Sequence, residues 1–186
     1  MEFLAALWIP IVLSAVIVFI ASSVLHMVLK YHQSDCYQLP NEDHALGALR
    51  SAGVKPGYYH FPYTTHQDMK SPATQEKFKH GPVGFLTVLP SGPPAMGKYL
   101  GSWFGYCLLV AFFTAYLTYR TIPQGAPYLF VFRGVGTAAF MAFGLGPLAN
   151  SIWKGQPWSM TIKEVFDGLI YALLVGGTFG WLWPRP

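Results

Sequence analysis

The sequence predicts an all-α membrane protein: four transmembrane helices, with a small cytoplasmic loop subdomain between spans one and two. Three observations predict it. Of 186 residues, 53% are hydrophobic and only 11% charged, where soluble domains carry roughly 25% charged residues. The scarce charges are unevenly spread, leaving four apolar runs near the ~20 residues that cross a bilayer. Lysine and arginine, finally, gather in alternate connections between those runs.

The first span occupies residues 1–30. Phe3 to Leu29 contains no Asp, Glu, Lys or Arg, and Pro10 either kinks it or marks a helical start. Glu2 stands where a signal peptide would be basic, and the apolar run is too long for one. Residues 31–98 form the loop. Asn41, Glu42 and Asp43 open a short helix with Leu46 and Leu49 on one face, and Gly53 ends it. Tyr58 to Phe61 reads as an aromatic strand. Ser71–Pro72 starts another helix ending near His80–Gly81, and Gly84 to Leu89 is apolar and β-favouring. The expectation is a compact aromatic cap with too little core to be stable by itself.

Residues 99–186 hold the other spans: Tyr99 to Tyr119, about Tyr128 to Leu148, and about Ile162 to Trp183. Pro123–Gln124–Gly125–Ala126–Pro127 is a tight turn, so spans two and three form an antiparallel hairpin. Thr161 with Glu164 three residues on has capping-box spacing and predicts the start of span four. The six tryptophans fall near span ends, as interfacial anchors do. Nine of the twelve Lys and Arg residues lie in 30–98 and in the connection between spans three and four, against Arg120, Arg133 and Arg185 elsewhere. That asymmetry places the loop in the cytoplasm and both termini outside it.

Two cysteines, Cys36 and Cys107, read as free thiols, one in the loop and one in an apolar run. The basic residues form no dense patch, so no nucleic-acid partner is expected. Gly92 to Lys98 matches the spacing of a phosphate-binding loop. Tyr99, however, replaces the magnesium-binding hydroxyl, and Pro93 and Pro94 remove backbone donors, so no nucleotide is expected. His26, His32, His44, His60, His66 and His80 lie between late span one and the loop's end, without HxxxH, HExxH or CxxC spacing. No metal, cofactor or catalytic residue is therefore assigned. A pigment held by His26 alone, or a metal in the loop, stays open beside the plainer reading of surface and packing histidines.

Arg133 and Asp167 are ionisable residues within spans, which by default invites a functional reading. Arg133 can snorkel to the interface. Asp167 lies at a depth similar to His26, making His26 and Asp167 a candidate intramembrane polar pair. Proton handling is the functional alternative to a packing role. The strongest pattern is steric. Span three places Gly134, Ala138, Ala142 and Gly146 at every fourth position, and span four does the same with Gly168, Ala172, Gly176 and Gly180. Such small-residue rows allow close helix approach, either between spans three and four or onto a partner's helices. Ala111 lies outside both rows and serves as their comparison.

Pro40-Asn-Glu-Asp43, Gly81-Pro-Val-Gly84, Pro90-Ser-Gly-Pro-Pro94 with Met96-Gly97-Lys98, and Gly155-Gln-Pro-Trp-Ser-Met-Thr161 resemble stretches of four-span inner-membrane proteins of Gram-negative bacteria. The likeness covers most of the chain. It implies a bacterial inner-membrane location and the same four-span plan, and carries no catalytic residue with it. The leading expectation is a non-catalytic structural or accessory subunit of a larger membrane complex, respiratory or photosynthetic, with lipid and other membrane subunits as partners. A small oligomeric transporter or channel is the alternative, with Asp167 and His26 lining its path. A membrane enzyme acting on lipid through the loop histidines is the third.

Overall fold

The computed structural model describes residues 2–185. In chain order it contains α1 (Glu2–Ser23), a π turn (Val24–Val28), a 3-10 turn (Lys30–Ser34), α2 (Glu42–Ser51), β1 (Gly57–Phe61) and a second 3-10 turn (Asp68–Lys70). Then come α3 (Pro72–His80), β2 (Gly84–Val88), α4 (Met96–Thr121), α5 (Tyr128–Phe143), α6 (Leu148–Lys154) and α7 (Trp158–Leu182). Four helical segments are long and apolar enough to cross a membrane: Glu2–Val28, Met96–Thr121, Tyr128–Lys154 and Trp158–Leu182. The chain divides into two compact units, Met1–Asp35 with Ala95–Pro186, and Cys36–Pro94. Residues 31–35 and 95–98, placed in the loop by sequence, thus fold with the helices.

In the helical unit, α1 lies against α4 and α7, α4 reaches α5, and α5 packs along α7. Buried positions recur at three- and four-residue intervals, the stripe that faces a helical neighbour. On α1 these are Leu7, Ile11, Ala15 and Val18, and on α5 Val131, Val135, Ala139 and Phe143. Pro10 is an interior residue of α1, not its start. Ala111 is itself buried on α4, so enlarging it would overpack the core and it cannot serve as a neutral comparison. The α4–α5 turn carries Gly125 at φ 75°, a left-handed conformation that glycine adopts without steric cost. The chain's end closes on this turn: the Trp183 indole donates to the Pro123 carbonyl at 2.9 Å, and the Gly125 amide to the Pro184 carbonyl at 2.9 Å. Trp183 is thus buried, whereas Trp8, Trp153, Trp158 and Trp181 are exposed.

Two boundaries differ from the sequence reading. Helix α5 stops at Phe143, and a turn through Gly144 to Pro147 separates it from α6. Its 16 residues rise about 24 Å, short of the ~30 Å hydrocarbon core, and α6 completes the span. Helix α7 begins at Trp158, so Thr161 and Glu164 are not a capping box. They accept instead from one side-chain amide: Gln156 donates to Thr161 at 2.9 Å and to Glu164 at 2.7 Å. Ser151 bonds Thr161 at 2.6 Å and donates to the Gln156 carbonyl at 2.9 Å. The same side chains that would cap a helix here lock the α6–α7 connection.

The small residues of α7 lie against α5. A methyl group built on Gly168 would come within 2.5 Å of the Gly144 Cα, and one on Gly176 within 2.9 Å of the Phe132 carbonyl and 3.2 Å of the Gly136 Cα. On Gly180 it would strike the Tyr128 ring at 2.8 Å. The face of α5 that α7 meets is therefore Tyr128, Phe132, Gly136 and Gly144. The expected row of Gly134, Ala138, Ala142 and Gly146 points elsewhere. Gly134, Ala142 and Gly146 are exposed and Ala138 half-buried. Residues 134 and 136 sit some 200° apart around a helix, so spacing alone could not choose between these two faces.

In the second unit, β1 and β2 pair antiparallel, with Gly57 opposite Val88 and Phe61 opposite Gly84. Tyr58 and Phe85 stack with ring centroids 5.6 Å apart. The Ser71 hydroxyl caps α3 by accepting from the Thr74 amide at 3.2 Å, the bond expected of an N-cap serine. None of the described residues in Cys36–Pro94 is fully buried.

Candidate polar site at the end of the bundle

The end of α1 builds one half of a polar cluster. Its last turn widens to π geometry, with the Leu29 amide donating to the Val24 carbonyl at 3.0 Å. Single π turns inside α-helices recur at functional sites because the extra residue re-aims the side chains that follow. Leu29 then leaves helical geometry, at φ −86° and ψ 99°. The 3-10 turn of Lys30–Ser34 brings Tyr31 and His32 back beside His26. The two imidazoles stack with centroids 4.4 Å apart and planes 6° from parallel.

Helix α7 supplies the other half. Lys163, Asp167 and Tyr171 follow one another at i, i+4 and i+8, so they share a face. The Asp167 carboxylate, only 3% exposed, accepts from the Tyr31 hydroxyl on one oxygen. On the other it accepts from His32 Nε2 at 2.8 Å, with His26 Nε2 3.8 Å away. Asp35 accepts from His32 Nδ1 at 2.6 Å and from Lys163 Nζ at 2.5 Å. Lys163 also donates to the Tyr31 carbonyl at 2.7 Å and to the Ser34 hydroxyl at 2.8 Å, tying the 3-10 turn to α7.

The electrostatics follow from these bonds. Burial would raise the Asp35 carboxyl, but the bonds and charges of Lys163 and His32 outweigh it and hold the group below its ordinary value. Tyr31 moves up, chiefly through burial and then because Asp167 accepts its proton in a hydrogen bond and repels the phenolate. A buried carboxylate is tolerated only where it is paired and hydrogen-bonded, and Asp167 meets that requirement with two donors.

His26 is half exposed, with 50% of its side chain accessible, and it shares a cavity wall with Asp167. This cavity, of about 270 Å³, is also lined by Trp103, Glu164 and Tyr171. The Tyr171 hydroxyl is buried there and has no hydrogen-bond partner among the described residues. His26, His32 and Asp167 each offer one ligand atom within 4.8 Å of the others, a set able to hold a metal ion among the described residues.

The sequence brought out His26 and Asp167 as a pair. The structure adds His32, which makes the shorter contact, together with Tyr31, Asp35 and Lys163. The i, i+4, i+8 spacing of Lys163, Asp167 and Tyr171 was the available signal for that face of α7. The chain reversal after Leu29 left none. Arg133 is exposed on α5 and takes no part. His44, His60, His66 and His80 belong to Cys36–Pro94, and Lys98 is an exposed residue in the first turn of α4. Cys36 is an exposed free thiol and Cys107 a buried one. Comparison with protein families, with characterised proteins and with solved structures finds no match.

Proposed function

We propose that the chain is a non-catalytic accessory subunit of a larger membrane assembly in the inner membrane of a bacterium. The observation that carries this reading is the face of α5 that α7 leaves uncovered. Ala142 is exposed there, as is Gly134 beside Ile122, and Ala138 and Ala142 form one wall of a groove of about 230 Å³ against α4 residues including Leu109, Phe113 and Leu117. Lipid tails are as apolar as leucine, so helices associate in membranes mainly by close packing, which small residues permit. Gly134 to Ala142 spans about 12 Å of helix, about two turns. The occupant we assign is a transmembrane helix of a different subunit. In this reading the loop of residues 31–98 is cytoplasmic and both termini are periplasmic, supported by nine Lys and Arg residues on the loop side against three.

Ala138→Leu tests the assignment. Ala138 lines the groove against α4 and lies off the face that meets α7, so the purified chain should keep its wild-type melting temperature while losing the proteins that co-purify with it. Native mass spectrometry reads both. A homo-oligomer in place of foreign subunits, or a wild-type set of partners retained by the variant, would overturn the reading.

A further inference from the structure

We propose that His26, His32 and Asp167 bind one divalent first-row transition-metal ion of the zinc class, at the end of the bundle where α1 turns back onto α7. The inference is independent of the subunit reading. Two imidazoles and a carboxylate suit such ions better than magnesium or calcium, which prefer all-oxygen sites.

Both histidines have the partner on the second ring nitrogen that metal ligands usually have. A ligating imidazole donates its second N–H to a carbonyl or carboxylate, which fixes tautomer and ring orientation. His26 Nδ1 lies 3.0 Å from the Ser22 carbonyl, and His32 Nδ1 lies 2.6 Å from Asp35. With both Nδ1 atoms so engaged, both Nε2 atoms are left facing Asp167. Ligand atoms ~2.0–2.1 Å from a tetrahedral ion stand roughly 3.3 Å apart. The observed separations from the Asp167 carboxylate, 2.8 Å for His32 and 3.8 Å for His26, straddle that value. Because the two rings stack nearly parallel and an imidazole ligates in its own plane, the half-exposed His26 ring must tilt out of the stack for both Nε2 atoms to meet one ion, with His32 giving up its Nε2 proton.

The remaining coordination position would be open. Three protein ligands leave the fourth position of a tetrahedral ion to an exogenous ligand. The 270 Å³ cavity lies on the side that His26 and Asp167 share, with room for water or a small anion. The Tyr171 hydroxyl, buried with the residue 4% exposed and otherwise without a partner among the described residues, lines this cavity. It is a hydrogen-bonding group for whatever fills the open position.

The test uses the full chain without an affinity tag, purified in detergent, stripped with chelator, and titrated with Zn²⁺ and with Co²⁺. The expected result is one ion retained per chain after desalting, and a Co²⁺ visible spectrum of a site with nitrogen and oxygen ligands. His26→Ala is the decisive variant, because its hydrogen bond runs to its own helix and the hydrogen bonds joining His32, Asp35, Lys163 and Asp167 do not include it. It should remain folded and lose affinity at least tenfold. Asp35→Asn should lose roughly tenfold to a hundredfold through His32. Replacing His44, His60, His66 and His80 together by Ala should change nothing. No stoichiometric ion in the wild type, undiminished affinity in folded His26→Ala, or affinity lost with the four other histidines would each defeat the proposal and leave the cluster a clasp only.

Discussion

Asp35 shows how much of the polar cluster depends on one carboxylate. It binds both His32 and Lys163, and its removal leaves a lysine and an imidazole facing a buried gap. Hydrogen bonds to charged groups contribute about 1.5–3 kcal/mol each, and these two share one acceptor. Asp35→Asn should therefore cost about 1–3 kcal/mol at neutral pH, read as a lower melting temperature in detergent with chelator present. The pH dependence has a definite sign. The folded carboxyl is held below its ordinary value, so between the two values the unfolded chain binds more protons and stability rises with pH. The contribution is complete above the ordinary aspartate value of ~3.9 and is lost as pH falls through the lowered folded value. Wild type and Asp35→Asn should thus converge in acid; a gap that stays constant from pH 7 to pH 3 would refute the role given to Asp35. None of this was legible in the sequence, where residues 31–35 read as the start of the loop. Recognising His32 and Asp35 as partners requires knowing that a 3-10 turn follows Leu29, and that turn has no composition signal.

Helix rows were half legible. Fourfold spacing located the face of α7 that meets α5, because glycine and alanine there have no other use on an apolar helix. It could not decide between two faces of α5, since small residues occupy both, and contact goes to the one where Gly136 and Gly144 let backbone meet backbone. The capping box failed for a related reason. Thr161 and Glu164 have the right spacing, but Gln156 lies close enough to bond both. The crossing makes a sharp prediction. Gly168→Ala places a methyl 2.5 Å from the Gly144 Cα, so the helices must separate, at a cost of about 1–3 kcal/mol if overpacking behaves as in soluble cores. Gly146→Ala meets nothing within 4 Å among the described residues and should leave the melting temperature unchanged. Equal behaviour of the two variants would mean that α5 and α7 do not cross at Gly144 and Gly168.

The four spans of the molecule were legible because ~20 apolar residues without charge have few other fates. Sidedness is a separate matter, resting on Lys and Arg placement, and the chain carries its own reporter. Cys36 is exposed and Cys107 is buried, so a membrane-impermeant maleimide reads the location of residues 36–94 in the unmodified protein. Labelling in inside-out vesicles and protection in intact spheroplasts is the expected pattern. The reverse pattern would invert the topology.

The tie between α1 and α7 bears on how the protein is made. His32 and Asp167 are 135 residues apart in sequence, so the first helix enters the bilayer long before its acceptor is synthesised. Until then Tyr31 and His32 must be satisfied by water at the surface. Asp167 arrives last, and an aspartate penalises insertion of its helix, though by less than the ~2.5–3.5 kcal/mol it would cost at the helix centre, since it lies toward one end of the bundle. Two donors already waiting at the end of α1 reduce that penalty at the moment it falls due. The order of synthesis therefore makes the first helix a receptor for the last, and a ribosome-bound chain cut short before Asp167 would leave it without a ligand.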